Sequence, residues 1–244
     1  YEYKSNHYHV LSDIDKKTCI ASARVLEDAY AAYTRNFGCV DGERRQRFKV
    51  YLFSGRGGFI RYQEEIRTLV GRPAENAAGI YSSLLKQLLI WNLPQRDEML
   101  ATVRHEGFHQ YFDRYMASPP TWLNEGLAEY HEDAEKESGR LVFGQIQPGH
   151  VAALRKAGLR PLKDFFALPH GKFYETGRTS YAQAWAFVHM LRHGSKEHRA
   201  LFNDLVEELQ GESSVQAVVG RVLPEDLLVS LDEDLKRYVA SLDG

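Results

Sequence analysis

The run His105-Glu106-Gly107-Phe108-His109 is the feature that most constrains this chain of 244 residues. Histidines four positions apart face the same side of an α-helix, one turn above the other. Two imidazole nitrogens placed in this way can bind one Zn²⁺ at about 2.0–2.1 Å. Glu106 is rotated by about 100° from His105, too far to bind the same ion. It can still reach a water on that ion, as a general base must. The run therefore predicts a helix with a zinc site on one face.

A catalytic zinc ion takes three protein ligands and leaves a fourth position open. A third histidine at the usual spacing is absent, because "QYFDRYMASPP" follows His109. A glutamate on the next helix is the alternative, and "WLNEGLAEY" supplies Glu125, 16 positions beyond His109. Glu129 lies four positions later, on the same helical face. One of these carboxylates can bind the metal while the other orients a histidine.

The overall composition excludes two classes of partner. The chain has 31 basic and 33 acidic residues, and its formal net charge is -2. The basic residues are scattered, which gives no electrostatic reason to expect nucleic acid or an anionic membrane surface. No apolar run approaches the ~18 residues that a membrane span requires. Hydrophobic content of 43% and charged content of 26% are typical of a globular protein.

Hydrophobic periodicity predicts strands early in the chain and helices late. The predicted elements before the motif are a strand "HYHVLS", a helix from Asp15 to Gly38, a strand "RFKVYLF", a helix "GGFIRYQEEIRTL", and a hairpin "AGIYSSLLKQLLIW" turning at Ser82 and Ser83. Pro94 is expected to open the helix that carries the motif to about Met116. Thr121 is a candidate cap for the next helix, "TWLNEGLAEYHED".

The C-terminal part is expected to be mainly helical. The polar tract "EDAEKESGR" predicts a solvated turn before a short strand "RLVFG". The helices predicted after it are "HVAALRKAG", "PLKDFFAL", "SYAQAWAFVHMLRHG", "EHRALFNDLVEELQG" and "LPEDLLVSLDEDLKRYVASL". We therefore predict one α+β domain over 1–244, with an α/β subdomain at 1–116 and a mainly helical subdomain at 117–244.

The stretch "HEGFHQYFDRYMASPPTWLNEGLAEY" resembles the gluzincin metallopeptidases, and in particular the peptidase MA-like bacterial proteins. Aminopeptidase N and thermolysin are more distant relatives. The resemblance extends to "SNHYHVLSD" with the helix after it, and to "SYAQAWAFVHML". Only the segment 105–129 is specific to the family. The resemblance implies a zincin-like fold, one zinc ion per chain, a peptide or protein substrate, and a secreted or periplasmic location.

Matched residue by residue, the resemblance assigns a role to each position of the site. His105, His109 and Glu125 match the zinc ligands, Glu106 matches the catalytic base, and Glu129 matches an acidic residue beside the ligands. Tyr181 resembles the tyrosine that steadies the tetrahedral intermediate in relatives of aminopeptidase N. Tyr174, His170 and Arg178 are nearby alternatives for that donor. The upstream segment "NAAGIYSSLLKQLLIW" does not match the "GxMEN"-type strand, so aminopeptidase activity is not implied.

Two other functions remain open from the residues. One is a zinc-bearing binding or scaffold module without turnover, although an intact Glu106 has no use in a purely structural site. The other is a zinc amidase acting on a non-peptide amide, which the motif cannot distinguish from a peptidase. Oligomeric state is not predicted.

Other patterns in the chain are given structural interpretations. His189 and His193 are also four apart but lack a suitable acidic partner, so we predict a structural role. The segment "SGRGGF" lacks the Lys-Ser/Thr ending of a phosphate loop and predicts a turn. Cys19 and Cys39 would lie near opposite ends of one helix, about 30 Å apart at ~1.5 Å rise per residue, too far for a disulfide. The chain begins at Tyr1, from which we expect a processed or trimmed form.

Overall fold

A computed structural model of the chain describes residues 1–38, 46–70, 74–116, 118–211 and 214–243. The strands are β1 Glu2–Lys4, β2 Tyr8–Ser12, β3 Phe48–Phe53, β4 Gly79–Ser82, β5 Gln87–Trp91, β6 Ala134–Glu137 and β7 Arg140–Phe143. The helices are α1 Lys16–Phe37, α2 Arg56–Glu65, α3 Arg67–Val70, α4 Arg96–Tyr115, α5 Thr121–Glu132, α6 Pro148–Ala157, α7 Leu162–Phe166, α8 His170–Glu175, α9 Arg178–His193, α10 Lys196–Gly211, α11 Val215–Val222 and α12 Glu225–Ser241. The predicted α+β class is confirmed to this extent: the structure combines helices with a small mixed sheet.

The chain divides into two compact units. Unit 1 comprises Tyr1–Tyr115 and Ala134–Phe143, and unit 2 comprises Met116–Asp133 and Gly144–Gly244. Among the described helices of both units, none combines the length and apolar character needed to cross a membrane. Cys39 lies outside the described residues, so the expected separation of Cys19 and Cys39 stays a prediction. Cys19 is buried.

Unit 1 is built on a five-stranded sheet in the order β1-β2-β3-β5-β4. The three central strands are parallel, and β1 and β4 pair antiparallel at the two edges. Val10 lies opposite Val50, which lies opposite Leu88, and all three are fully buried. Apolar residues of this kind are what a parallel sheet covered by helices requires.

Helix α1 begins and ends where its capping residues predict. Asp15 Oδ1 accepts a hydrogen bond from the Thr18 N–H at 2.6 Å. Gly38 ends the helix with a φ of 98°, and its N–H donates to the Thr34 carbonyl at 2.9 Å. A positive φ is readily adopted by glycine alone, so the helix stops there. The helix buries its apolar face in unit 1, where Tyr33 Oη donates to the Arg104 carbonyl of α4 at 2.9 Å.

Unit 2 centres on α9, which is almost wholly buried from Ala182 to Leu191. Helix α5 crosses it at Gly126, where an added Cβ would lie 2.5 Å from the Ala184 carbonyl oxygen. Only glycine permits an approach this close, since real Cβ atoms keep about 3.4 Å or more from such an atom. The two backbones therefore touch at the middle of α5, which carries both glutamates of the predicted site.

Some predicted boundaries were wrong. Helix α5 begins at Thr121 itself and its N-cap is Pro120, so Thr121 is not the cap. The polar tract predicted as a turn contains β6, which pairs with β7. The motif helix begins at Arg96, two residues after Pro94. The predicted helix "GGFIRYQEEIRTL" begins at Arg56, so most of the segment "SGRGGF" is helical rather than a turn, and it is divided at Ile66 into α2 and α3.

Candidate metal centre

The two histidines of the motif lie together on α4, within unit 1. His105 Nε2 and His109 Nε2 are 3.2 Å apart, and the ring centroids are 4.9 Å apart with the planes at 78°. Two nitrogens bound to one tetrahedral zinc ion at about 2.05 Å would lie about 3.3 Å from each other. The observed separation therefore suits a pair that shares one metal ion.

Helix α4 packs against α1 and β3 in unit 1. Phe108 is fully buried and meets the Tyr33 ring edge-on at 5.3 Å between centroids. Gln110 Nε2 donates to the Lys49 carbonyl of β3 at 2.9 Å. These contacts fix the rotation of α4 about its axis, while His105 and His109 stay partly exposed.

Glu106 lies against the edge strand β4. Gly79, in that strand, has no room for a side chain, because an added Cβ would lie 2.9 Å from Thr102 Cγ2 and 3.1 Å from Glu106 Cγ. The absence of a side chain at Gly79 thus allows the backbone of β4 to run directly beside the glutamate. About two turns further along α4, Tyr81 Oη donates to Asp113 Oδ2 at 2.7 Å and Lys86 Nζ lies 2.6 Å from the same oxygen. The edge strand is therefore fastened to the motif helix at two levels.

Glu125 lies on α5, within unit 2, and only 4% of it is exposed. Tyr174 Oη, from α8, donates to Glu125 Oε1 at 2.6 Å. A carboxylate buried this deeply needs such a partner, since desolvating it alone is costly. The hydrogen bond also restrains the orientation of the carboxylate, which is the function of an outer partner of a metal ligand.

Glu129 lies one turn further along α5 and is also buried, at 8% exposure. His150 Nε2, in α6, lies 2.7 Å from Glu129 Oε2. Gln147 Nε2 donates to the Glu129 main-chain carbonyl at 2.7 Å. Glu129 is therefore not an ordinary surface carboxylate. Sequence reasoning missed His150, because a contact between residues 21 positions apart leaves no local signal.

Tyr181 belongs to an aromatic cluster of unit 2. Its ring is partly exposed and meets those of Phe173 and Tyr174 edge-on, at centroid distances of 5.5 and 6.1 Å. His170, one turn before Tyr174 on α8, lies 4.8 Å from it. Three of the four candidate donors are thus grouped within one unit, with Tyr181 and His170 beside the tyrosine that donates to Glu125.

His189 and His193 have partners that fit a structural role. The Gly144 carbonyl can only accept, so His189 Nε2, 3.0 Å away, carries the proton. Its Nδ1 then accepts from Tyr238 Oη at 2.7 Å. His193 Nε2 lies 2.8 Å from Tyr130 Oη. Burial lowers the pKa of His189 to about 4, which keeps the ring neutral.

The described part of the chain thus contains histidine and glutamate groups that could hold a metal ion, drawn from His105, His109, Glu125, Glu129 and Glu132.

Comparison with known proteins adds a family without an assigned role. No curated protein matches the chain. Residues 99–210 match the model of a family described as "Protein of unknown function (DUF1570)". The matched part begins within α4 and ends in α10, so it includes the histidine pair, both glutamates of α5 and Tyr181.

Proposed function

We propose that this protein is a zinc-dependent peptidase of gluzincin type with a zincin-like fold. In this proposal His105, His109 and Glu125 bind one zinc ion, and Glu106 is the general base. The observation that carries it is the 3.2 Å separation of the two imidazole nitrogens on α4. His105, His109 and Glu125 are also one of the groups that could hold a metal ion. Two imidazoles and one carboxylate are a common donor set of catalytic zinc.

The residues of the chain have distinct tasks in the proposed reaction. A bound zinc ion would polarise the scissile carbonyl and lower the pKa of a water toward ~7. Glu106 takes the proton of the attacking water and passes it to the leaving amine. Tyr181 donates a hydrogen bond to the oxygen on which negative charge develops. Tyr174 keeps Glu125 oriented through its 2.6 Å hydrogen bond.

The edge strand favours a peptide as the substrate. Strand β4 lies at the edge of the sheet, beside Glu106. An extended peptide can add to such an edge through main-chain hydrogen bonds. A peptide aligned along β4 would bring its amide bonds past the proposed base. A non-peptide amide without an extended backbone would not use this feature.

Hydrolysis of a mixed peptide library by the purified protein, with and without a chelator, tests the proposal. We expect cleavage that stops with the chelator and returns with zinc. Glu106→Gln should bind zinc as the wild type does and lose turnover, since the amide cannot accept the proton. Glu98→Gln is the matched control, because Glu98 is an exposed residue of the same helix. Zinc binding without cleavage of any peptide would instead support the scaffold or amidase alternatives.

A further inference from the structure

The first turn of α6 holds Glu129 at two separate points. His150 Nε2–H donates to the carboxylate oxygen Oε2 at 2.7 Å. Gln147 Nε2 donates to the main-chain carbonyl of the same residue, also at 2.7 Å. The side chains of His150 and Glu129 are 13% and 11% exposed, so the hydrogen bond between them is largely shielded from water. Side chain and backbone of Glu129 are thus fixed independently.

His150 is itself held by its surroundings. Its ring centroid lies 5.4 Å from that of the fully buried Trp185, on α9. Gln147 is the N-cap of α6, and Pro148 occupies its first turn. The fixed φ of the proline sets the direction of the helix axis at its start. An imidazole has only two side-chain torsions, so a packed ring keeps its N–H in place at a small entropic cost.

We infer that His150 is a positioning residue of the proposed reaction and acts through Glu129. The inference rests on the proposed function and on the role expected for Glu129 from the sequence, in which this carboxylate orients a zinc-binding histidine. A carboxylate does this only if its own plane is fixed, and the bond to His150 Nε2 fixes it. A lysine or arginine in this place would pair with Glu129 but would bring a flexible chain and a permanent charge. Histidine supplies the hydrogen bond without either.

The test compares two neighbours on α6 that differ in what they hold. We expect His150→Ala to weaken zinc affinity by about 10-fold, the lower end of the cost of losing an outer partner of a ligand, because His150 contacts Glu129 and not the ligand itself. Turnover should fall through kcat, with KM nearly unchanged. Gln147→Ala, which frees only the main-chain carbonyl, should stay within about threefold of wild type in zinc affinity. His150→Gln, whose amide N–H can reach the carboxylate, should recover most of the loss.

A double-mutant cycle separates positioning from general destabilisation. If His150 acts through Glu129, then His150→Ala should add no further loss of zinc affinity in a Glu129→Gln background. Affinities are measured with a chromophoric chelator on protein shown to be folded by circular dichroism. If His150→Ala does not fold, the cycle is run with His150→Phe, which keeps a ring beside Trp185 but has no N–H to donate to Glu129.

Three results would overturn the inference. One is zinc affinity of His150→Ala within twofold of wild type, and another is an equal loss in Gln147→Ala. The third is a full additional loss in the Glu129→Gln background. Each of these leaves the proposed function standing if wild-type protein binds zinc and cleaves peptides. Wild-type protein that binds no zinc would reject the proposed function and the inference together.

Discussion

Tyr174 Oη donates a 2.6 Å hydrogen bond to the buried carboxylate of Glu125, although Tyr174 itself is 39% exposed. A tyrosine so placed restrains a carboxylate while remaining in contact with solvent. The neighbouring Tyr181 has its ring centroid 6.1 Å away. The two tyrosines are therefore close in space but are expected to serve different steps.

Phenylalanine substitutions should distinguish these two tyrosines. Tyr174→Phe should weaken zinc affinity by about 10–100-fold, because Glu125 loses its outer partner. Tyr181→Phe should leave zinc content and KM unchanged and lower kcat by about 10²–10³, the usual cost of one oxyanion donor. Zinc affinity and steady-state kinetics of both variants check this. A drop in kcat with unchanged zinc affinity in Tyr174→Phe would assign it the donor role instead.

Zinc content should depend on the histidine pair of α4 and not on that of α9. Elemental analysis is expected to find one zinc per chain in the wild type and none in His109→Ala. His193→Ala is the matched control. His189 and His193 have the same spacing, but their Nε2 atoms are hydrogen-bonded to the Gly144 carbonyl and to Tyr130 Oη. The control variant should retain the zinc. Wild-type protein without any transition metal would contradict this prediction.

Two Gly→Ala substitutions in helices should have opposite effects on stability. Gly126→Ala should destabilise by about 1–3 kcal/mol, because the new methyl would meet the backbone of α9. Gly220→Ala in α11, where an added Cβ meets nothing within 4 Å, should stabilise by about 0.5–1 kcal/mol through helix propensity alone. Denaturant unfolding measures both. A stabilised Gly126→Ala would show that α5 and α9 can separate at little cost.

Stability should fall on the acid side of neutrality, partly through His189. Its pKa is lowered from 6.5 to about 4 in the folded protein, so the unfolded chain takes up a proton first. The contribution is complete above pH 6.5 and is lost as pH falls toward 4, with a slope of up to about 1.4 kcal/mol per pH unit. His189→Gln should flatten this part of the curve of unfolding free energy against pH. An unchanged slope would mean that other groups set it.

Local signals in the sequence predicted the bounds of helices that have clear capping residues. Asp15 and Gly38 bound α1 because each satisfies main-chain groups that the helix leaves open. Helices α8 and α11 were not foreseen, since each is too short to show a clear period. The N-cap of α5 is Pro120 and not Thr121 as expected, because the proline φ of -55° suits the start of a helix.

The motif residues could be predicted from spacing, but their partners could not. His105 and His109 lie one turn apart on one helix, so sequence alone brings them together. Tyr174 meets Glu125 across 49 positions and His150 meets Glu129 across 21, in both cases from another helix. Such contacts depend on how α6 and α8 return to α5, which no local pattern encodes.

The assignment of β6 and β7 to unit 1 affects the order in which the chain can fold during synthesis. Phe143, the last residue of β7, stacks on Tyr33 of α1 with ring centroids 5.8 Å apart. Unit 1 therefore lacks part of its interior until position 143 has left the ribosome, after α5 has been made. When His105 and His109 have been synthesised, unit 1 still lacks β6 and β7. When Glu125 has been synthesised, unit 2 still lacks the residues from Gly144 onward. A truncation after α4 would leave α1 without this cover, so fragments ending there should be poorly soluble.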